Sequence, residues 1–144
     1  MTFWKQVQQW LGGSKQAAAQ PQTPPRMAED EPEPVVPEMT VEELAVALEG
    51  PTPPLLLDVR EPYEWRQVRF ALGLHIPMNE IPQRLTELPQ GRAIVVTCAH
   101  GSRSYSVAAW LLDQGYQASS LQGGITRWAQ TGRPVLQGDP ASKG

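Results

Sequence analysis

Residues 93–104 read Ala-Ile-Val-Val-Thr-Cys-Ala-His-Gly-Ser-Arg-Ser, and this stretch decides the fold. It begins with a short apolar run, which predicts a strand buried on both faces of a sheet. Apolar residues at helical spacing follow from Val107 to Leu112, and Gly115 ends the predicted helix. A buried strand that runs straight into a helix is typical of an α/β domain with a mainly parallel sheet.

The rest of the domain repeats this alternation of strand and helix. Helices are predicted after the capping box of Thr40 and Glu43, after Asn79, and after the glycine pair that ends at Gly124. Further strands are predicted at residues 55–59, 74–76 and 116–121. The sequence therefore predicts an α/β fold with a central, mainly parallel sheet and helices on both faces.

Composition divides the chain into four parts. Residues 1–13 carry an apolar face at helical spacing, which predicts an amphipathic helix. Residues 14–38 are rich in proline, glutamine, alanine and acidic side chains, so we expect a flexible linker. The folded domain is predicted at residues 39–132. The tail at residues 133–144 has no periodic pattern, and we expect it to be loose.

Charge and cysteine content exclude several classes of function. The formal net charge of -3 gives no clustered basic surface for nucleic acid. One cysteine cannot form an internal disulfide or a cysteine-rich metal site, and His75 lies far from His100, so we expect no metal. A lone thiol without a secretory signal or transmembrane stretch leads us to expect a cytoplasmic protein, and a single small domain leads us to expect a monomer.

Cys98 is the residue most suited to chemistry. It lies where a strand ends and a loop leads into a helix, which is where binding sites form in open α/β sheets. Small residues in this loop allow backbone N–H groups to turn toward one centre, and Arg103 adds positive charge. Such surroundings lower the pKa of a cysteine thiol. We therefore expect a nucleophilic thiolate held by residues Ala99, His100, Gly101, Ser102 and Arg103.

Two other roles for Cys98 compete with this interpretation. An isolated cysteine after an apolar run is often an inert, buried side chain, but packing alone does not require Gly101 and Arg103. A cysteine–arginine phosphatase also cradles an anion above a thiolate. Its loop is one residue longer between cysteine and arginine than the stretch from Cys98 to Arg103, so the smaller loop suits a single sulfur atom better than a phosphate.

Four segments in order resemble the rhodanese family: residues 55–65, 75–77, 98–104 and 121–128. The resemblance covers about residues 39–132 and implies a parallel sheet with helices on both sides. It also implies a sulfurtransferase in which Cys98 takes a sulfane sulfur from a small-molecule donor such as thiosulfate, forming a persulfide. Cyanide or a thiol then accepts that sulfur. No metal or organic cofactor is implied.

The resemblance also suggests supporting residues. Asp58 and Arg60 match the family's Asp-x-Arg, and we expect them to brace the active-site loop, with Ser104 as a further supporting residue. Two positions depart from the family pattern. Ala99 stands where thiosulfate-using members often carry a basic residue, and Arg69 lies in a segment where the family commonly has a Gly-His turn, so no function is assigned to it.

A different class of function is a non-catalytic module of the same fold, which binds a partner or regulates from a membrane tether. Inactive members usually lose the cysteine, and this chain keeps Cys98, which favours an enzyme. The apolar face of residues 2–12, beside Lys5, is suited to a protein partner, to the chain's own domain or, more weakly, to a membrane surface.

Overall fold

The structure is a computed structural model, and it describes residues 35–138. The helix predicted at residues 1–13 and most of the predicted linker lie outside the described residues, as do residues 139–144 of the tail. In chain order the elements are β1 (Glu38–Met39), α1 (Val41–Leu48), β2 (Leu55–Asp58), α2 (Pro62–Gln67), β3 (Val68–Phe70), β4 (Leu74–His75), β5 (Ile94–Thr97), α3 (Ser102–Asp113), β6 (Ala118–Leu121), α4 (Gly124–Gln130) and β7 (Val135–Gln137).

Five parallel strands form the main sheet, in the order β1-β6-β5-β2-β4. The two central strands, β2 and β5, are short apolar runs, and adjacent side chains point to opposite faces of the sheet. Leu57 and Val96 pack with α3 on one face, whereas Leu56 and Val95 pack with α1 and α4 on the other. The predicted α/β fold, with helices on both faces of a parallel sheet, is confirmed.

The start of α1 follows the predicted capping box. The Thr40 hydroxyl accepts a hydrogen bond from the Glu43 N–H at 3.0 Å, and the Glu43 carboxylate accepts one from the Thr40 N–H at 2.9 Å. Two backbone donors that lack helical partners are satisfied in this way. The helix then buries Val41 and Leu44 against the sheet.

The α-helix predicted after Asn79 is wrong. This segment forms two 3-10 helices, Met78–Glu80 and Pro82–Glu87. Proline at position 82 removes a backbone donor, Arg84 leaves helical geometry at φ -116 and ψ 21, and the residue before Pro89 is extended. A segment this short between two prolines cannot propagate a stable α-helix.

The predicted domain boundaries need correction at both ends. Residue Val36 is buried in the core, and residues 38–39 pair with β6, so the predicted linker already belongs to the fold by residue 36. Beyond residue 133, the tail is not loose throughout, because β7 pairs antiparallel with β3. Sequence periodicity cannot identify such short strands, since each depends on a partner strand distant in sequence.

Arg69 holds this second, two-stranded sheet to the domain. Its guanidinium donates hydrogen bonds to the carbonyl oxygens of Trp65 and Arg66 at 3.4 Å each and of Gly138 at 2.8 Å. It also lies 4.7 Å from the centre of the Trp65 ring. Carbonyls at a helix C-terminus attract cations, so Arg69 stabilises the end of α2 and the β3–β7 pair together.

Candidate active site

Cys98 lies at the carboxyl edge of the main sheet. It directly follows the last residue of β5, and residues 98–101 form a short loop into α3. Thr97 pairs in register with Asp58, so the ends of the two central strands stand side by side. The predicted strand–loop–helix placement of Cys98 is confirmed. Only 1% of the residue is exposed, and the loop therefore shields the sulfur from bulk solvent.

Two backbone N–H groups point at the sulfur of Cys98. Gly101 donates to Sγ at 3.1 Å and Ser104 donates at 3.3 Å. The Ser104 N–H belongs to the first turn of α3, where backbone donors have no partner within the helix. The positive end of the helix dipole therefore points toward the sulfur from the same side as these hydrogen bonds.

Gly101 and Ser104 shape this pocket in different ways. Gly101 has a φ of +115, a region that residues with a β-carbon rarely adopt, and this conformation turns its N–H toward the sulfur. The Ser104 hydroxyl lies 3.5 Å from Sγ, donates to the Gly101 carbonyl at 3.1 Å, and contacts the Ser120 hydroxyl at 2.8 Å. Ser120 was missed by sequence reasoning, because its position on β6 carries no motif.

The first turn of α4 hydrogen-bonds to the cysteine loop. The N–H of Ile125 donates to the Cys98 carbonyl at 3.0 Å, and the N–H of Thr126 donates to the Ala99 carbonyl at 3.1 Å. A β-carbon on Gly124 would collide with both of these carbonyl oxygens. The glycine pair before α4 thus does more than turn the chain, because it lets the helix approach the loop closely enough to bond it.

Arg103 forms an ion pair with Glu64 on α2. Its two terminal nitrogens donate to the Glu64 carboxylate at 2.8 Å and 3.0 Å. This hydrogen bonding lowers the pKa of Glu64 and raises the pKa of Arg103. The positive charge predicted at Arg103 is therefore paired with a carboxylate in the structure. Sequence reasoning missed Glu64, because it lies on α2 and nothing in the sequence of the cysteine loop indicates a partner there.

Asp58 and Arg60 form a buried ion pair at 2.7 Å. Arg60 also donates to the carbonyl oxygens of Glu64 at 3.3 Å and Val68 at 2.7 Å. The pair therefore braces the C-terminal half of α2, through the carbonyl oxygens of Glu64 and Val68. Glu64, whose carbonyl accepts from Arg60, also binds Arg103 through its carboxylate, so the predicted support of the loop by Asp58 and Arg60 runs through these two residues.

Comparison with known proteins agrees with this geometry. Residues 40–131 match the model of the rhodanese-like domain. The chain belongs to the rhodanese-like family. A sulfurtransferase from Allochromatium vinosum is 39% identical over 103 residues, covering 71% of this chain and 96% of the relative. The thiosulfate sulfurtransferase GlpE from Stutzerimonas stutzeri is 30% identical, covering 54% of this chain and 72% of that protein.

Solved structures place the fold in the same family. The crystal structure of a rhodanese-related protein from Thermoplasma volcanium matches with a TM-score of 0.65 at 29% sequence identity. The match covers 69% of this chain and 97% of that protein. A rhodanese-like domain protein from Staphylococcus aureus matches with a TM-score of 0.62 at 29% identity, covering 65% of this chain and 91% of that protein.

Three predicted loop residues of the rhodanese-like domain, Ala99, His100 and Ser102, have other surroundings than Gly101. Ala99 is half-buried and offers its carbonyl to α4, whereas His100 and Ser102 are exposed. Of the predicted binding set, the structure brings the Gly101 N–H to Sγ, and it adds the Ser104 N–H. Within residues 35–138, no cluster of three or more histidine, cysteine, aspartate or glutamate side chains is arranged to hold a metal ion. No helix in that range is long and apolar enough to cross a membrane.

Proposed function

We propose that the chain is a sulfurtransferase that carries sulfane sulfur as a persulfide on Cys98. The observation that carries this proposal is the pair of N–H groups, from Gly101 and Ser104, directed at Sγ. Thiolate and persulfide are both anions, and preorganised donors stabilise them without further rearrangement. The names of the sulfurtransferase relatives support the same reaction class.

In the first half-reaction, the Cys98 thiolate attacks the outer sulfur of a donor such as thiosulfate. A new S–S bond forms, the bond from that sulfur to the sulfonate group breaks, and sulfite leaves with the electron pair. In the second half-reaction, cyanide or a thiol attacks the outer sulfur of the persulfide. Cys98 then leaves as a thiolate, so the enzyme is restored and the reaction is of the ping-pong type.

The same backbone groups serve both sulfur species of the reaction. The Gly101 and Ser104 N–H groups are placed to stabilise both the attacking thiolate and the persulfide that forms from it. The Ser104 hydroxyl is oriented by Ser120 and the Gly101 carbonyl, and it lies within reach of the same sulfur. These contacts favour a catalytic role for Cys98 over the alternative of a non-catalytic binding module.

Steady-state kinetics test the proposal. Thiocyanate formation is measured while thiosulfate and cyanide are varied independently, in the natural protein and in Cys98→Ser. We expect parallel double-reciprocal lines, typical of a ping-pong reaction, and loss of the activity in the variant. Intersecting lines, or full activity in Cys98→Ser, would contradict a persulfide on this residue.

A further inference from the structure

The charges beside the cysteine loop are unevenly distributed. Arg103 lies in the first turn of α3, directly after the cysteine loop, and both of its terminal nitrogens donate to the Glu64 carboxylate. The Glu64 carboxylate is held in addition by the N–H of Glu61 at 2.8 Å. Because three hydrogen bonds fix it, Glu64 cannot leave Arg103 without losing several contacts at once. An incoming anion therefore finds the cation of the loop already paired.

A second carboxylate lies in the same region. The side chain of Glu61 is exposed at the start of α2 and interacts electrostatically with Arg103. Arg60 is buried in its pair with Asp58 and is engaged by carbonyl oxygens as well. Glu61 thus adds a second negative charge close to Arg103, beside that of Glu64. An anionic donor approaches against this charge and against the Cys98 thiolate.

We infer that Glu64 is a specificity-determining residue that directs this enzyme toward persulfide donors with a neutral or cationic group near the sulfur, and away from anionic donors such as thiosulfate. The inference rests on the proposed function, because it concerns which donor loads Cys98. Glu64 acts through Arg103 and is a positioning residue, not a catalytic one. Its effect is electrostatic, so it depends on donor charge and on salt.

Loading from a persulfide balances without any other reactant. The Cys98 thiolate attacks the outer sulfur of the donor and forms a new S–S bond. The donor's own S–S bond breaks, and the donor leaves as a thiolate with the electron pair. The proton of the outer sulfur stays with that sulfur or passes to water. The products are the Cys98 persulfide and the donor thiolate.

Three donors of similar size and different charge test the inference. They are the persulfides of cysteamine, mercaptoethanol and mercaptoacetate, whose second functional groups are a cationic ammonium, a neutral hydroxyl and an anionic carboxylate. The second-order rate of sulfur addition to Cys98 is measured by rapid quench and intact mass, with Cys98→Ala as the background. Each rate is divided by the rate at which the same donor sulfurates free mercaptoethanol, which removes differences in leaving-group reactivity.

The natural protein should load fastest from the cationic donor and slowest from the anionic one, with a normalised ratio of about tenfold at low salt. High salt should bring the ratio toward one. Glu64→Gln frees the charge of Arg103, so it should narrow or reverse the ratio and raise loading from thiosulfate. Glu87→Gln is the matched control, because Glu87 binds Arg84 at 2.8 Å and 3.0 Å on an exposed surface, and it should keep the natural ratio.

A natural protein that loads all three donors at equal normalised rates would overturn the inference and leave the proposed function intact. The same ratio in Glu64→Gln as in the natural protein would also overturn it. A natural protein that none of these donors loads would contradict the proposed function instead. If Glu64→Gln does not fold, the donor order and salt dependence of the natural protein decide the question by themselves.

Discussion

Gly124 packs directly against the carbonyl oxygen of Cys98, and the N–H of the next residue, Ile125, donates to that oxygen at 3.0 Å. A β-carbon at position 124 would meet backbone atoms, which cannot rotate away as a side chain can. The close approach therefore couples the start of α4 to the loop that holds the sulfur. The glycine is required by this contact as well as by its own φ of +59.

Gly124→Ala should destabilise the domain and abolish sulfur loading of Cys98. The strained φ alone costs about 1–2 kcal/mol, and the backbone clash brings the loss above roughly 3 kcal/mol. Gly132→Ala is the matched control, since Gly132 has a φ of +84 but open space around its missing β-carbon. Urea unfolding and the loading rate measure both effects. Equal losses in the two variants would show that the contact with Cys98 does not matter.

Ser104→Ala should lower the stability of the domain and change the reactivity of Cys98, whose thiol donates to the Ser104 hydroxyl. The change removes a hydroxyl near Sγ and leaves the buried Ser120 hydroxyl without this partner, which costs about 1–3 kcal/mol. Ser106→Ala, on the exposed face of the same helix, should stay within about 0.5 kcal/mol. The alkylation rate of Cys98 against pH is the second readout. An unchanged profile in Ser104→Ala would exclude a role for its hydroxyl at the sulfur.

Asp58→Asn should be strongly destabilising, because it leaves the buried Arg60 guanidinium without its counter-charge. Breaking a buried pair in this way costs about 3–5 kcal/mol. The control is Glu80→Gln, which breaks an exposed pair with Arg84 and should cost less than about 1 kcal/mol. Chemical denaturation of both variants gives the comparison. A small, equal loss in both would mean that solvent reaches the Asp58–Arg60 pair.

The ion pair of Glu64 and Arg103 should make stability depend on pH. Hydrogen bonding by Arg103 lowers the pKa of Glu64, so the pair stabilises the fold above the ordinary carboxyl pKa and loses this effect as pH falls through the lowered value. At neutral pH, Glu64→Gln should therefore be less stable than the natural protein by about 0.5–1 kcal/mol. In acid the two unfolding free energies should converge. A difference that stays constant down to low pH would contradict an ionic origin.

Much of the fold could be predicted because its signals are local. The apolar run before Cys98 and the capping box at Thr40 each specify an element within a few residues, and the structure confirms both. The strand Val135–Gln137 and the burial of Val36 have no local signal, since each exists only through its partners in the folded domain. The prolines at 82 and 89 are part of the same segment, and together they prevent the α-helix that its apolar spacing predicts.

The candidate site shows the same division between local and distant information. Gly101 and the position of Cys98 follow from the loop sequence, and the structure places the Gly101 N–H at the sulfur. The pairing of Arg103 with Glu64 joins residues that are far apart in the chain, so loop composition alone predicted the positive charge but not its partner. The ionic partner of a charged side chain can be identified only once the fold shows which residues lie next to it.

The most direct measurement is the intact mass of the reduced protein after incubation with thiosulfate and, separately, with the persulfide of mercaptoethanol. We predict a gain of one sulfur atom on Cys98, lost on addition of cyanide or a thiol and absent in Cys98→Ala. Folded, reduced protein that gains no sulfur from either donor, or gains it equally in Cys98→Ala, would contradict the assignment of Cys98 as the sulfur carrier.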